Sequence, residues 1–321
     1  MMTTLWSSLH FVAPTRSPSI LNTRGRYSAR FHCAPPDTTP LVQKSGKCCS
    51  IGAYSIPHPK KVEKGGEDAY FVNDGRVFAV ADGVSGSVMI YRSPIPVDPY
   101  ERFMNTITRW AEQNVDPSLF SRQLIANICA LVENAEADDN NPLMLIRRAH
   151  ESTVCTGSAT LIIGMVGEDG LLKVASVGDC GLRVVRRNKV VFSTTPLEHF
   201  FDCPFQLSSE PSGQTYLDAV VTHVQLQQGD AFVMGSDGLF DNVFDHEIVT
   251  TVSNHCDAAE AAKALATLAS VHSADATFDS PYALEARTKG LDVPWWKKTV
   301  GIKLSGGKPD DITVIVGHLD Q

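Results

Sequence analysis

Short apolar runs alternate with polar turn clusters along most of the chain from Gly52 onward, broken by a few stretches of helical period. Residues 69–72 and 77–81 are apolar runs flanking Asn73-Asp74-Gly75, and Asp-Gly between two such runs predicts a β-hairpin. Asp116-Pro117 predicts a helix start, with Asp as N-cap and Pro in the first turn. Phe120, Leu124, Ile128, Leu131 and Val132 then recur at helical spacing, and Asn141-Pro142 predicts a second helix in the same way. Residues 159–166, 171–177, 182–186 and 190–193 are dense in Val, Ile and Leu and are separated by tight turn sequences, which predicts an antiparallel meander. Residues 194–217 show no period and read as a long surface loop. Strands are predicted at 220–226, 231–234 and 312–319, and helices at 245–254 and 257–272, each helix opened by an Asp cap. This order of elements argues against a parallel βαβ fold. The expected class is α+β, a four-layer α-β-β-α sandwich of two antiparallel sheets packed face to face and flanked by helices.

Composition narrows the function classes. Of 321 residues, 43% are apolar, enough for a core without staples. No apolar run approaches the roughly 20 residues of a membrane span. A net charge of −8 with no basic stripe excludes a nucleic-acid footprint. The eight cysteines show no C-x-x-C pair, so no zinc site is expected and thiols in a reducing compartment are. Residues 1–36 lack Asp and Glu, carry Arg16, Arg24, Arg26 and Arg30, and are rich in Ser and Thr, the composition of an organelle transit peptide. Residues 37–50 read as a polar linker, and one domain is expected from 51 to 321, with a monomer as the assembly.

The acidic residues carry the candidate chemistry. Glu67-Asp68, Asp82, Asp179, Asp237 and Asp310-Asp311 each sit at the end of an apolar run. Asp-Gly turns account for one or two such positions. Carboxylates crowded at one sheet edge would raise one another's proton affinity unless cations neutralise them, and hard divalent cations with oxygen ligands are suited to that. On spacing alone, a metal site and a set of coincident turns both remain open.

The segments GGEDAYFV, VADGVSG, TGSATLII, ASVGDCGLRV, VMGSDGLFDN and GKPDDITVIV, in that order, resemble the metal-dependent PPM, or type 2C, protein phosphatases from about Ile51 to the C-terminus. The resemblance implies hydrolysis of phosphoserine and phosphothreonine in proteins. It implies two Mg²⁺ or Mn²⁺ ions and a weaker third. Asp82 would bridge the two ions, with the Gly83 carbonyl on one of them. Asp237 and Asp310 would complete the ligands of the other, and Asp68 would hold a metal-bound water, supported by Glu67. Asp179 would lie near the third ion, and Asp311 stands where the family usually has Asn. Asp68, Asp82, Asp237 and Asp310 are thus the candidate catalytic set. A hydroxide bridging the two ions would attack phosphorus in line, with no phosphoenzyme. The segments STTPLEHFFDCPFQLSSE, GSDGLFDNVFDHEIV and SPYALEARTKGLDVPWWKK are most similar to a plant branch acting on photosystem II core phosphoproteins. That likeness implies a chloroplast location, at the stromal face of the thylakoid, and those subunits as protein partners.

Several departures and rival features accompany the resemblance. Glu63 stands where many relatives carry a phosphate-gripping Arg, leaving Lys61 and Lys64 as candidate phosphate-binding residues, and Val84 stands where many carry a His proposed as general acid. Residues 87–109 read as an insert a few positions after Asp82. The alternative reading is therefore a non-catalytic binding protein, or a splice form inactivated by that insert. Cys180 to Arg186 matches the C-x5-R spacing of cysteine phosphatases, but Leu182, Val184 and Val185 predict a strand rather than a phosphate-cradling loop. His199 is a candidate for approaching the site, Trp295-Trp296 is assigned to packing, and 194–217 is the candidate for substrate selection.

Overall fold

The computed structural model describes residues 41–44, 49–73, 76–84, 115–134, 141–211, 213–291 and 303–319. The transit-like segment 1–36, the hairpin tip Asp74-Gly75, the insert 87–109 and Trp295-Trp296 lie outside the described residues.

One antiparallel sheet is built, in spatial order, from β1 (Leu41–Lys44), β2 (Cys49–Ile56), β14 (Ile312–Leu319), β13 (Ala231–Gly235), β7 (Gly181–Arg186) and β8 (Lys189–Ser193). The other runs β12 (Val220–Gln225), β6 (Leu171–Val177), β5 (Ser158–Val166), β4 (Val77–Gly83) and β3 (Asp68–Asn73), with β11 (Leu207–Ser208) also pairing with β5. Helices α1 (Pro117–Glu133) and α2 (Pro142–Glu151) cover the second sheet, and α4 (Asp245–Asn254) and α5 (Ala258–Ala274) cover the first. The short α3 (Asp237–Phe240) follows β13, and α6 (Pro281–Thr288) lies further along the chain. This is the expected four-layer sandwich.

Strand alternation divides the apolar residues among three layers. On β3, Ala69 and Phe71 face the helices, whereas Tyr70 and Val72 face the opposite sheet. On β14, Val314 and Val316 pack beneath α5 while Ile315 points between the sheets. Phe78 of β4 and Phe232 of β13 stack at a centroid distance of 4.5 Å in the centre of that middle layer. Glycines make room for the rings: a Cβ on Gly164 would meet Phe78 at 2.3 Å, and one on Gly317 would meet Phe232 at 2.2 Å.

The helix starts follow the expected chemistry. Asp116 and Asn141 accept from the backbone N–H of Ser118 and Leu143, each with Pro at the first position. Asp257 caps α5 likewise. Helix α4 differs: its cap position is Phe244, whose N–H donates to Glu247 at 2.9 Å, so Asp245 lies inside the first turn instead of capping it. The structure also places elements where the sequence shows little period. β1 forms within the expected linker. β9 (Glu198–Phe200), β10 (Cys203–Pro204) and β11 occupy the expected loop 194–217, where Cys203, Gln206 and Leu207 are buried. That segment is therefore a partly cored flap rather than a surface loop.

Candidate active site

The ends of four strands meet at one edge of the sandwich. Asp68 opens β3 and Asp82 lies near the end of β4, and the two are register partners in that pair. From the other sheet, Ser236 and Asp237 follow β13, and Asp310 and Asp311 precede β14, adjacent because β13 and β14 are paired. Ser236 ties the sheets together: its hydroxyl donates to Asp68 Oδ2 at 2.8 Å and accepts from the Thr313 N–H at 3.0 Å.

The segment entering β3 is clamped from several sides. The buried Asp311 carboxylate accepts from the backbone N–H of His58 at 2.6 Å and of Glu67 at 2.9 Å. Ser121 of α1 donates to the Glu67 carbonyl at 2.5 Å, and Arg122 donates to the carbonyls of Lys64 and Gly66. Gly83 is pressed against the start of α1, where a Cβ would come within 2.6 Å of the Pro117 carbonyl. Its N–H donates to the Glu67 carbonyl, so the two acidic turns are bonded to each other.

The acids hold their protons tightly. Burial first, then the charges of Asp68, Asp237, Asp310 and Asp179, pushes Asp82 well above the usual carboxylate range. Asp68 is raised by burial and then by Asp311, against stabilising hydrogen bonds from Thr313 and Ser236. Asp179 is raised by burial and by Asp237, with Lys308 opposing. Asp310 is pushed up to about 7 by burial and by Asp237. Mutual influence among Asp68, Asp82, Asp179, Asp237 and Asp310 places all five in one crevice.

Two lysines lie within this cluster. Lys61 Nζ pairs with Glu67 at 2.6 Å and Asp311 at 3.3 Å, with Asp310 at 3.9 Å. Lys308 Nζ pairs with Asp237 at 2.7 Å and with Asp202 and Asp241 at 2.8 Å each. Burial works against both ammonium groups, but the surrounding carboxylates outweigh it and raise their proton affinity. A cleft of about 550 Å³ adjoins the cluster, bounded by Asp179, Asp237, Phe201, Asp202, Tyr282 and Lys308.

The residues suit hard cations. Oδ1 of Asp68, Asp179 and Asp237 is buried with no hydrogen-bond partner, and an orphaned buried carboxylate oxygen is costly unless a cation meets it. Among the described residues, no three acidic, His or Cys side chains already enclose a common point as ligands. Closing around an ion therefore requires side-chain rotation among the carboxylates of the crevice.

Other expectations fall elsewhere. Lys64 is exposed and its charge acts on Asp116, so Lys61, not Lys64, stands in the acidic cluster. His199 lies tilted against Phe205 at a centroid distance of 4.4 Å and meets Gln214, and it does not line the cleft. Cys180 is buried beside Thr160 on the approach to β7, and burial with Asp82 and Asp179 drives its thiol well above the ordinary range. Arg186 is engaged by Asp230 through two contacts of 2.8 and 2.7 Å, so the C-x5-R spacing is two unrelated ends of a strand. Ser236 and Lys308 were not singled out by sequence reasoning. Both stand beside acidic motif residues, but only the partner across the fold reveals what each holds.

No family model matches the chain. "Probable protein phosphatase 2C 26" of Arabidopsis thaliana is 54% identical over 289 residues, 89% of this chain and 88% of that protein. The chain belongs to the protein phosphatase 2C family. "Probable protein phosphatase 2C 1" of Oryza sativa subsp. japonica is also 54% identical, over 84% of this chain and 75% of that protein. The solved structure of the photosystem II phosphatase PBCP is 54% identical, spans 84% of this chain and 98% of its own, and superimposes with a TM-score of 0.74. The PPM Ser-Thr phosphatase MsPP of Mycobacterium smegmatis, 17% identical over 86% of this chain and 99% of its own, shares the fold at a TM-score of 0.53. The chain is thus a protein serine/threonine phosphatase, and the acidic crevice is its candidate centre.

Proposed function

We propose that this phosphatase dephosphorylates phosphothreonine and phosphoserine in photosystem II core proteins at the stromal face of the thylakoid, using two Mg²⁺ or Mn²⁺ ions. The observation that carries the metal reading is the set of buried, unpartnered Oδ1 atoms on Asp68, Asp179 and Asp237, in one crevice with Asp82 and Asp310. Asp82, Asp237, Asp310 and the Gly83 carbonyl would hold the pair, with Asp68, Glu67 and Asp179 beside them. When bound, the cations supply an acidified water as nucleophile and positive charge for the phosphoryl oxygens. The chain's own residues provide the frame. Ser236 fixes the orientation of Asp68, Asp311 holds the backbone of Glu67, and Lys61 offers an ammonium close to where phosphate would arrive. Lys61 acts as a point charge and not as a bidentate fork.

The substrate reading is supported by the 54% identity to PBCP, and the chloroplast reading by that likeness together with the composition of residues 1–36. A direct test is phosphate release from phosphorylated thylakoid membranes by the recombinant chain lacking residues 1–36, with Mn²⁺ and with chelator. Chelator-sensitive loss of phosphate from core subunits is the expected result. Release that ignores chelator sinks the metal reading, and activity on a generic phosphopeptide but none on thylakoids sinks the substrate.

A further inference from the structure

Lys308 joins parts of the fold that are far apart in sequence. An ammonium has three N–H donors, and here each meets a different carboxylate: Asp237 at the head of α3, Asp241 at its end, and Asp202 of the flap. Asp202 adopts a left-handed backbone (φ 61°) between β9 and β10 and is also held by the Tyr282 hydroxyl of α6 at 3.2 Å. Phe201 packs on Tyr282 at 5.1 Å, and Lys308 Nζ lies 5.2 Å from the same ring. One wall of the cleft is thereby fastened to Asp237, one of the candidate metal ligands.

The two oxygens of Asp237 have different surroundings. Oδ2 is taken by Lys308 at 2.7 Å, while Oδ1 is buried and unpartnered. Asp179, whose Oδ1 is likewise unpartnered, feels the charges of both Asp237 and Lys308. A fixed positive charge thus sits on Asp237 and acts on Asp179 as well, and it repels a cation drawn to the pair.

We propose that Lys308 is a positioning residue and resident counter-cation, which commits one oxygen of Asp237 to the cleft wall, leaves the other for a metal ion, and keeps a third divalent cation from being held between Asp179 and Asp237. The proposal rests on the metal-dependent reading of the same crevice. It assigns the chain a two-cation centre with an ammonium completing the charge balance.

The test uses the full chain as wild type, Lys308→Met, Lys308→Arg and Asp202→Asn, with circular dichroism verifying the fold. Calorimetric titration with Mn²⁺ alone counts the ions, and amide hydrogen exchange of residues 198–205 without metal reads the wall. Lys308→Met should take up one more Mn²⁺ per chain than the wild type and speed exchange at 198–205 at least tenfold. Lys308→Arg should keep the wild-type count because the charge remains. Asp202→Asn, an exposed change that tolerates the left-handed backbone, should speed exchange without altering the count.

An unchanged Mn²⁺ count in a folded Lys308→Met overturns the proposal, even if exchange rises, since a mere loop anchor would do that much. If Lys308→Met does not fold, an extra ion in Lys308→Arg, or unaltered exchange in Asp202→Asn, overturns it. Three Mn²⁺ on the wild type does the same. A wild type that takes up no Mn²⁺ removes the metal reading itself, and the proposal with it. That outcome is distinguished by the count being zero in every variant.

Discussion

Asp68 and Asp82 lie directly opposite each other across the β3–β4 pair, with no residue offset between them. Two carboxylates in that position repel, and burial strengthens the repulsion. Without metal the crevice therefore costs the fold stability. Asp82→Asn should raise the melting temperature in chelator by several degrees, corresponding to about 1–2 kcal/mol, while lowering phosphatase turnover by about 1000-fold or more. Mn²⁺ should stabilise the wild type far more than the variant. A variant that melts lower in chelator yet retains turnover would contradict both halves of this expectation.

Ser236 is a single hydroxyl joining the two sheets at the crevice. Removing it leaves Asp68 Oδ2 and the Thr313 N–H each short of a partner in buried surroundings. Ser236→Ala should cost about 1–3 kcal/mol in urea unfolding, through the unmet polar groups and not through lost volume. Turnover should fall as well, because Asp68 is freed to rotate. A midpoint within error of the wild type would show that water takes over both contacts.

The four layers were legible because each strand's alternation and each Asp-Pro or Asn-Pro start is written locally, as at Asp116 and Asn141. The acidic set was legible for a related reason, since an Asp at the end of an apolar run is conspicuous. The flap was not. Leu207 pairs with Ala159 of β5 and Gln206 accepts from the Ser158 hydroxyl, contacts distant in sequence that leave no period behind. Lys308 was hidden similarly: a lysine reads as surface until the carboxylates that hold it, from other parts of the chain, are seen around it. Helix α6 did carry a signal, Ser280-Pro281, with the Ser hydroxyl accepting from the Ala283 N–H at 3.1 Å.

The middle layer tolerates no added volume at Gly164. Its missing Cβ is where the Phe78 ring lies, and that ring is fully buried and stacked on Phe232. Gly164→Ala should destabilise the domain by about 1–3 kcal/mol in denaturant titration. Mn²⁺ affinity should stay near the wild-type value, because Gly164 pairs with Phe78 and Val174, away from the strand ends that carry the acids. Equal stability of the two proteins would mean that the stacked pair has slack.

The cysteines should differ sharply in reactivity. Cys256 is exposed, whereas Cys129 lies on the buried face of α1 and its thiol is pushed up to about 12 by burial and then by Glu133. A raised thiol pKa means less thiolate, so at pH 8 Cys129 is overwhelmingly in the thiol form, and burial limits access further. Cys180 is shielded in the same way, with Asp82 and Asp179 opposing its ionisation. Iodoacetamide at pH 8, followed by peptide mass mapping, should label Cys256 within minutes and leave Cys129 and Cys180 unmodified until denaturant is added. Prompt labelling of Cys180 in the folded chain would instead reveal an accessible thiolate beside the acidic crevice and reopen the cysteine-phosphatase reading of the Cys180 to Arg186 spacing.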